Sequence, residues 1–482
     1  MRQRKNAIRM FEFLTDIEEY KAELSELIRQ FDAYDPSGNI SVHLTTVADD
    51  LRNVKICVNG QENAFHNDAP VPTDKLGFRK ATVRFLKNSL YLALRSALKR
   101  DLPWGALTGV RPSRLAYELL SSGVEIENLP AELNKTFYIA RDKAELLGDI
   151  VANQAGYYTT DKDYVNFYVH IPLCPSRCKY CSFVSASIDK QKKLVEPYIE
   201  ALRREIEHAT ELIRQMNKKV LSVYIGGGTP TVLSAQELEK ILSAIPYRDI
   251  EYTCECGRPE TITEEKLAVL VRHGVNRISV NPQTLFDETL ANIGRNHTAA
   301  DFFTAYNAAR KFDFTVNVDL IAGLPSETPQ MFSYTLDKIT DLRPENITVH
   351  TLSKKRGSVF AETGTEAADF GTEEMMNYAH CKLKEDGYRP YYLYRQKQMT
   401  GNLENAGYAL DGKQSVNNIT TMEECVSVIA CGAGAISKVV IEQSGSGSRI
   451  ERLAGIKDIK QYIEEFDERL NKKEIFVKNS LQ

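Results

Sequence analysis

Between residues 164 and 352 the chain switches repeatedly between two hydrophobic periods. Six short runs, Tyr164 to Ile171, Val220 to Ile225, Ile250 to Cys256, Asn276 to Val280, Phe314 to Ile321 and Asn346 to Leu352, are rich in β-branched and aromatic residues and read as buried strands. Helical spacing fills the gaps, at about 197–216, 263–273, 299–312 and 329–342, and SerAlaGlnGluLeuGlu at 234–239 opens a further helix with an N-cap and a capping-box residue. Strands alternating with helices imply a parallel sheet with right-handed crossovers, either open or closed into a barrel. Polar or glycine-rich motifs follow almost every strand, where barrel active sites form, so the pattern predicts a partial, six-unit (β/α) barrel.

The flanks read differently. In residues 1–160, Asn39 to Val58 contains period-two fragments and ends in AsnGly at 59 and 60, a hairpin signal. Lys75 to Arg100 is helical, with Leu86, Leu90, Leu94 and Leu98 on one stripe and a basic end at Lys99 and Arg100. ProTrpGlyAlaLeuThrGlyValArgProSerArg at 103–114 is either a loop offering Arg111 and Arg114 to substrate carboxylates or a rigid turn into the next helix; loop arginines are usually just exposed, which favours the turn. Residues 354–482 start with a helix at Thr372 to Asp386 and a tyrosine-rich strand at 388–395. Glycine-containing segments at 401–408 and 431–437 and an amphipathic helix at Asp458 to Leu470 follow. The expected organisation is an α+β accessory module over 1–160, the barrel over 161–353, and a C-terminal α+β cap over 354–482 that covers substrate. Tyrosines in such a cap suit a flat macrocycle, although core packing explains many of them equally well.

Composition narrows the class. A chain of 482 residues with 43% hydrophobic and 26% charged residues and a net charge of -4 is that of a globular protein, not a polycation for nucleic acid or a disordered tail. No apolar run reaches about eighteen residues, and MRQRKNAIRMFEF lacks a signal-peptide core, so a cytoplasmic protein without membrane insertion is expected. Nine cysteines with no export signal point to reduced thiols and metal binding rather than disulfides.

Three of those cysteines carry the chemistry. Cys174, Cys178 and Cys181 stand in CxxxCxxC spacing on the loop after the first strand. Structural zinc wants four closed ligands, and this loop has three with no near fourth; a 4Fe-4S cluster on three thiolates leaves one iron open for a substrate or cofactor. Other strand ends add polar groups. GlyGlyGlyThrPro at 226–230 allows close backbone approach to a ligand. Alternation turns Glu255 to the opposite face from Cys254 and Cys256, which read as small packing residues rather than further ligands. Gln283 can give and accept hydrogen bonds, and Arg295 could clamp a carboxylate. Asp319, an acid in an apolar run, needs a partner, either a ribose diol or a structural ion pair.

In combination and order, YxHxP from Tyr168, CxxxCxxC, GGGTP, the strand glutamate, RxS with a nearby glutamine, IGRxH and DLIxGLP resemble the radical S-adenosylmethionine (SAM) enzymes. More narrowly they resemble the oxygen-independent coproporphyrinogen III dehydrogenase family, over about Tyr164 to Lys438. The amino-terminal module and the PWGALTGVRPSR segment resemble a longer, firmicute-type subgroup. The resemblance implies a radical SAM barrel in which Cys174, Cys178 and Cys181 hold a 4Fe-4S cluster. It also implies oxidative decarboxylation of coproporphyrinogen III propionates to vinyl groups in anaerobic heme biosynthesis, giving protoporphyrinogen IX. By motif match Tyr168, Gly227 and Glu255 contact the cluster-bound SAM. Tyr180, Gly228, Thr229, Gln283, Arg295 and Asp319 match a second SAM or its neighbourhood, and Thr351 the adenine end. His170 matches the family histidine ahead of the cluster, and Tyr168, His170 and Arg295 fall at the catalytic centre. The implied partners are a porphyrinogen substrate and a low-potential electron donor such as flavodoxin or ferredoxin. Phe183 stands where the best-known dehydrogenases have a fourth cysteine and heme-chaperone relatives have phenylalanine, so heme binding is one alternative; a radical SAM reaction on heme is the other.

Overall fold

The computed structural model describes residues 11–32, 40–48, 50–70, 72–109, 111–183, 185–353, 355, 357–363, 371–396, 399–443 and 447–481. The first residues of MRQRKNAIRMFEF, Asn39 of the period-two stretch and Val110 of the 103–114 segment lie outside them. Two compact units emerge, one of residues 1–149 with 401–403 and the other of residues 150–400 with 404–482.

The first unit is built on a four-stranded sheet. Glu12–Thr15 runs parallel to Ser41–Val47, which pairs antiparallel with Asp50–Val58, itself antiparallel to Gln61–His66. Asn59 and Gly60 both take positive φ (49° and 87°), the conformation a two-residue hairpin with right-handed strand twist requires. The helix Lys75–Leu98 is capped by Asp74, whose carboxylate accepts the Gly77 N–H at 2.8 Å, and it ends at Lys99 in the left-handed region. Its buried stripe of Leu86, Leu90 and Leu94 packs with Leu24, Leu27 and Ile28 of the Lys21–Asp32 helix. The 103–114 segment turns tightly into the next helix, with Arg111 and Arg114 half-buried. Trp104 is fully buried, and Gly105 (φ 53°) leaves no room for a side chain, because a Cβ there would lie 2.2 Å from the Phe137 carbonyl oxygen. Pro112 opens the following helix, Pro112–Ser121.

The second unit contains, among the described residues, an eleven-stranded sheet. Its centre is six parallel strands in chain order: Tyr164–Ile171, Lys219–Gly227, Glu251–Cys254, Arg277–Ser279, Thr315–Ala322 and Asn346–Thr351. Crossover helices start where short polar side chains satisfy their first amides. Ser234 and Glu237 form a reciprocal capping box, as do Thr298 and Asp301, while Thr263 and Thr328 cap singly. This is the partial (β/α)6 barrel expected from the alternation.

Residues beyond 353 extend the sheet at both edges. Asn405–Ala409 adds antiparallel to the sixth strand and carries Arg389–Tyr394 outside it. Ser427–Cys431 adds parallel to the first strand, followed by the antiparallel pair Ile436–Gln443 and Gly447–Ala454. The terminal helix expected over 458–470 is two, Ile459–Glu464 and Phe466–Ser480, which meet at Glu465.

The last helix is fastened through a buried carboxylate. Glu205, on the helix Ile188–Gln215, accepts hydrogen bonds from Lys473 Nζ, Arg469 Nε, the Tyr462 hydroxyl and the Gly432 N–H. Burial opposes its charge, but Lys473 and Arg469 prevail and hold its pKa down at about 2 instead of 4.5. A depressed carboxylate contributes stability above its unfolded pKa and loses it as pH falls through the folded one, so this contribution disappears between about pH 4.5 and 2. Glu205→Gln leaves two buried cations without their counter-charge and is expected to lower unfolding stability at neutral pH by roughly 3–5 kcal/mol. Urea denaturation of both proteins checks this, and a loss under ~1 kcal/mol would contradict it.

Candidate active site

The cysteine loop leaves the first strand and folds over the carboxyl ends of the six strands, around a cavity of about 310 Å³ lined by all three thiols. A short parallel pairing of Leu173–Cys174 with Ala186–Ser187 closes the loop, and the Lys179 N–H donates to the Ile293 carbonyl at 2.9 Å. Cys174 Sγ lies 3.6 Å from Thr229 Oγ1. Burial raises the Cys174 and Cys181 thiols, the latter to about 11. Among the described residues no three Cys, His, Asp or Glu side chains converge tightly enough to share one metal ion. An iron-sulfur cluster takes each thiolate on a different iron, and the three thiols that line this cavity can supply them.

Glu255 and Asp319 face this cavity from the third and fifth strands. Burial first, and then the neighbouring Asp319 charge, push Glu255 up to about 8, although the Tyr224 hydroxyl donates to it at 3.3 Å. Burial also works against the Asp319 charge, but His350 (Nε2 3.7 Å away) and the Asn317 amide (2.7 Å) hold its pKa below the ordinary value; the Asn281 amide donates to it at 2.8 Å. Two adjacent carboxylates thus differ in protonation, one ionised and one neutral until a cation arrives. The small strand cysteines behind Glu255, Cys254 and Cys256, are fully buried away from the cavity, as alternation predicted.

Several cavity groups have polar atoms left over. Gln283 has positive φ (69°), and its buried Oε1 has no partner; the same is true of Thr253 Oγ1 and Arg295 Nε. Arg295 is otherwise engaged, donating to the Gly257 carbonyl (2.7 Å), the Asn281 carbonyl and the Tyr180 hydroxyl (3.3 Å). Buried polar atoms lining a cavity call for a polar ligand, and a carboxylate, amine or ribose supplies such groups. Gly227 and Gly228 explain the glycine run: a Cβ on Gly227 (φ 110°) would meet the His170 ring at 2.7 Å, and one on Gly228 the Leu173 carbonyl at 2.3 Å.

The structure brings Tyr180, Gly227, Gly228, Thr229 and Thr351 to the cavity wall with the groups above. Tyr168 and His170 stand behind it. The Tyr168 hydroxyl and His170 Nδ1 are 3.1 Å apart, and Tyr168 stacks on Tyr224, which does line the cavity. Thr351 is held structurally, its hydroxyl donating to the Glu404 carbonyl at 2.7 Å. Tyr391, Tyr392 and Tyr394 add aromatic wall, the first two buried, and Phe183 is 62% exposed with Lys355 Nζ 5.5 Å from its ring centre.

Sequence reasoning missed Arg258 and Glu260, and carried His297 only as the end of the IGRxH motif. Arg258 follows the third strand and reaches into the cysteine loop, with Nη1 donating to Cys178 Sγ at 3.4 Å and to the Ser176 carbonyl at 3.2 Å. Glu260 holds its other side and is itself held at about 2; burial opposes that charge, but His297 and Arg258 stabilise it. The available signal was an arginine directly behind a strand-end glycine, with an acid two residues on.

Comparison with known proteins agrees with this geometry. Residues 168–339 match the Radical SAM superfamily. The chain is 39% identical over 435 residues to the oxygen-independent coproporphyrinogen-III oxidase-like protein HemZ of Bacillus subtilis, covering 86% of this chain and 85% of that one. It is 34% identical over 199 residues to the heme chaperone HemW of Bacillus subtilis, spanning 40% of this chain and about half (52%) of that protein. In fold it is similar to coproporphyrinogen III oxidase (HemN) of Escherichia coli, described as a radical SAM enzyme, with a TM-score of 0.51 at 23% identity over 68% of this chain and 73% of that one. No helix among the described residues is long and apolar enough to cross a membrane.

Proposed function

Because the chain belongs to the radical SAM superfamily, in the group of coproporphyrinogen-III oxidase-like proteins, and so uses a 4Fe-4S cluster and SAM, we propose that it oxidatively decarboxylates coproporphyrinogen III to protoporphyrinogen IX. The observation that carries this reading is the meeting, in one cavity, of three loop thiols, two carboxylates of opposite protonation preference and a tyrosine-lined wall.

Bound here, a reduced 4Fe-4S cluster with SAM would supply radical hydrogen-atom abstraction from a propionate side chain. Cys174, Cys178 and Cys181 would hold the cluster, with Gly227 and Gly228 on the same cavity wall. Glu255 receives the cationic methionyl end of SAM, Asp319 and Gln283 receive hydroxyls, and Arg295 with its free Nε offers a further donor near Tyr180. Each propionate loses one hydrogen atom, carbon dioxide and one electron, the last passing to an added one-electron acceptor, to become a vinyl group. The protein's part is to hold the reacting carbon near the radical source and to exclude water. The first electron comes from a low-potential donor of the flavodoxin or ferredoxin type.

Anaerobic reconstitution with a one-electron reductant, SAM and coproporphyrinogen III, followed by mass spectrometry, tests the proposal. Loss of two carboxyl groups with matching 5'-deoxyadenosine is expected. Exposed Phe183, beside the last cysteine, favours a heme-carrying alternative; intact porphyrinogen in the presence of a competent cluster, with saturable heme binding, would move the assignment there.

A further inference from the structure

Arg258 is only 3% exposed and is held on two sides. Besides Cys178 Sγ and the Ser176 carbonyl, its guanidinium reaches Ser176 Oγ (2.9 Å) and Glu260 Oε1 through both Nη2 (2.6 Å) and Nε (2.9 Å). Glu260 Oε2 faces His297 Nδ1 at 3.5 Å, and the His297 side chain is fully buried. A planar guanidinium can hold loop, sulfur and carboxylate together in this way, whereas an ammonium cannot reproduce the fork.

We propose that Arg258 sets the reduction potential of the cluster through its N–H···S bond to Cys178, with Glu260 holding the guanidinium on the sulfur. It is a positioning and tuning residue, not a catalytic one. The proposal rests on Cys178 being a cluster ligand but is independent of the porphyrinogen reaction. Reduction adds one electron to the cluster, with no atom transferred. A hydrogen bond to a ligating sulfur favours the more negative, reduced form and so raises the potential, with the guanidinium lying between the sulfur and the Glu260 carboxylate. A donor of the flavodoxin or ferredoxin class then keeps a larger fraction of the cluster reduced.

The test is an EPR-monitored redox titration of the full chain, reconstituted without SAM, with iron counted per chain and Cys178→Ala prepared alongside. Arg258→Gln is expected to retain the cluster and to titrate at lower potential, with the reduced fraction at fixed poise falling about tenfold, which for a one-electron couple is about 59 mV. Ser176→Ala removes a contact between arginine and loop but not the one to sulfur, and is expected to titrate like the parent. An unchanged potential in a fully loaded Arg258→Gln protein overturns the proposal. So does an equal shift in Ser176→Ala, or failure of Arg258→Gln to hold iron, since either makes the arginine a loop anchor. A Cys178→Ala protein that still carries a full cluster overturns the ligand reading instead, so the two failures are distinguishable.

Discussion

Cys178→Ala is expected to show no cluster absorbance after anaerobic reconstitution and no 5'-deoxyadenosine above background. With two thiolates left on the loop, a cluster that already has one open iron would have two, and its hold on the protein would rest on Cys174 and Cys181. Cys178 is the most buried of the three, at 8% exposure, and is the one that receives the Arg258 N–H, so no nearby water or neighbouring thiol takes its place. Cys256→Ala is the matched control. That thiol is fully buried, does not line the cavity, and its S–H donates to the Cys254 carbonyl at 3.5 Å. It should keep its cluster and its SAM cleavage. Iron and sulfide analysis with chromatography of the nucleoside checks both, and an iron-loaded Cys178→Ala protein that still cleaves SAM would refute the three-cysteine site.

Glu255 gives the second large effect, which depends on pH. In the ligand-free protein its pKa is about 8 rather than 4.5, so below pH 8 the carboxyl is largely neutral. Because the folded value is raised, its contribution to stability is fully present below about pH 4.5 and is lost as pH rises toward 8. A cationic SAM end that needs the carboxylate must expel that proton. SAM affinity is therefore expected to rise up to tenfold per pH unit below about pH 8 and then level off, with proton release seen as a buffer-dependent binding heat. Glu255→Gln should flatten this profile and weaken SAM binding roughly 10- to 150-fold, matching the ~1.5–3 kcal/mol of a charged hydrogen bond. A Gln variant that binds as tightly and with the same pH slope would remove Glu255 from the SAM site.

The sequence made some of this legible and hid the rest for physical reasons. Period and turn chemistry are local, so the Asn59-Gly60 hairpin, the capping box at Ser234 and all six barrel strands could be read directly. Glu255 could be placed on the inner face because strand alternation is strict. Ser427–Cys431 could not be read as a seventh parallel strand. It is five residues long, its partner is the first barrel strand, and no periodic signal links two segments so far apart. Arg258 was hidden because an ArgPro pair behind glycine looks like any surface turn; its burial depends on the cysteine loop folding back over it. The split of the final helix at Glu465 was equally illegible, since apolar spacing runs smoothly across it.

The pairing of Ser427–Cys431 with Tyr164–Ile171 also sets a clock on biosynthesis. Val165 meets Ser427, about 260 residues later in the chain. At the usual ~5–20 residues per second, the strand that carries the cysteine loop leaves the ribosome roughly 13–50 s before its neighbour exists. Over that interval one edge of the nascent sheet presents unpaired amides and carbonyls, an invitation to mispairing that a folding helper would have to cover. The loop's footing is complete only once Cys431, about nine-tenths of the way along the chain, has emerged, so iron delivery belongs late in translation or after it.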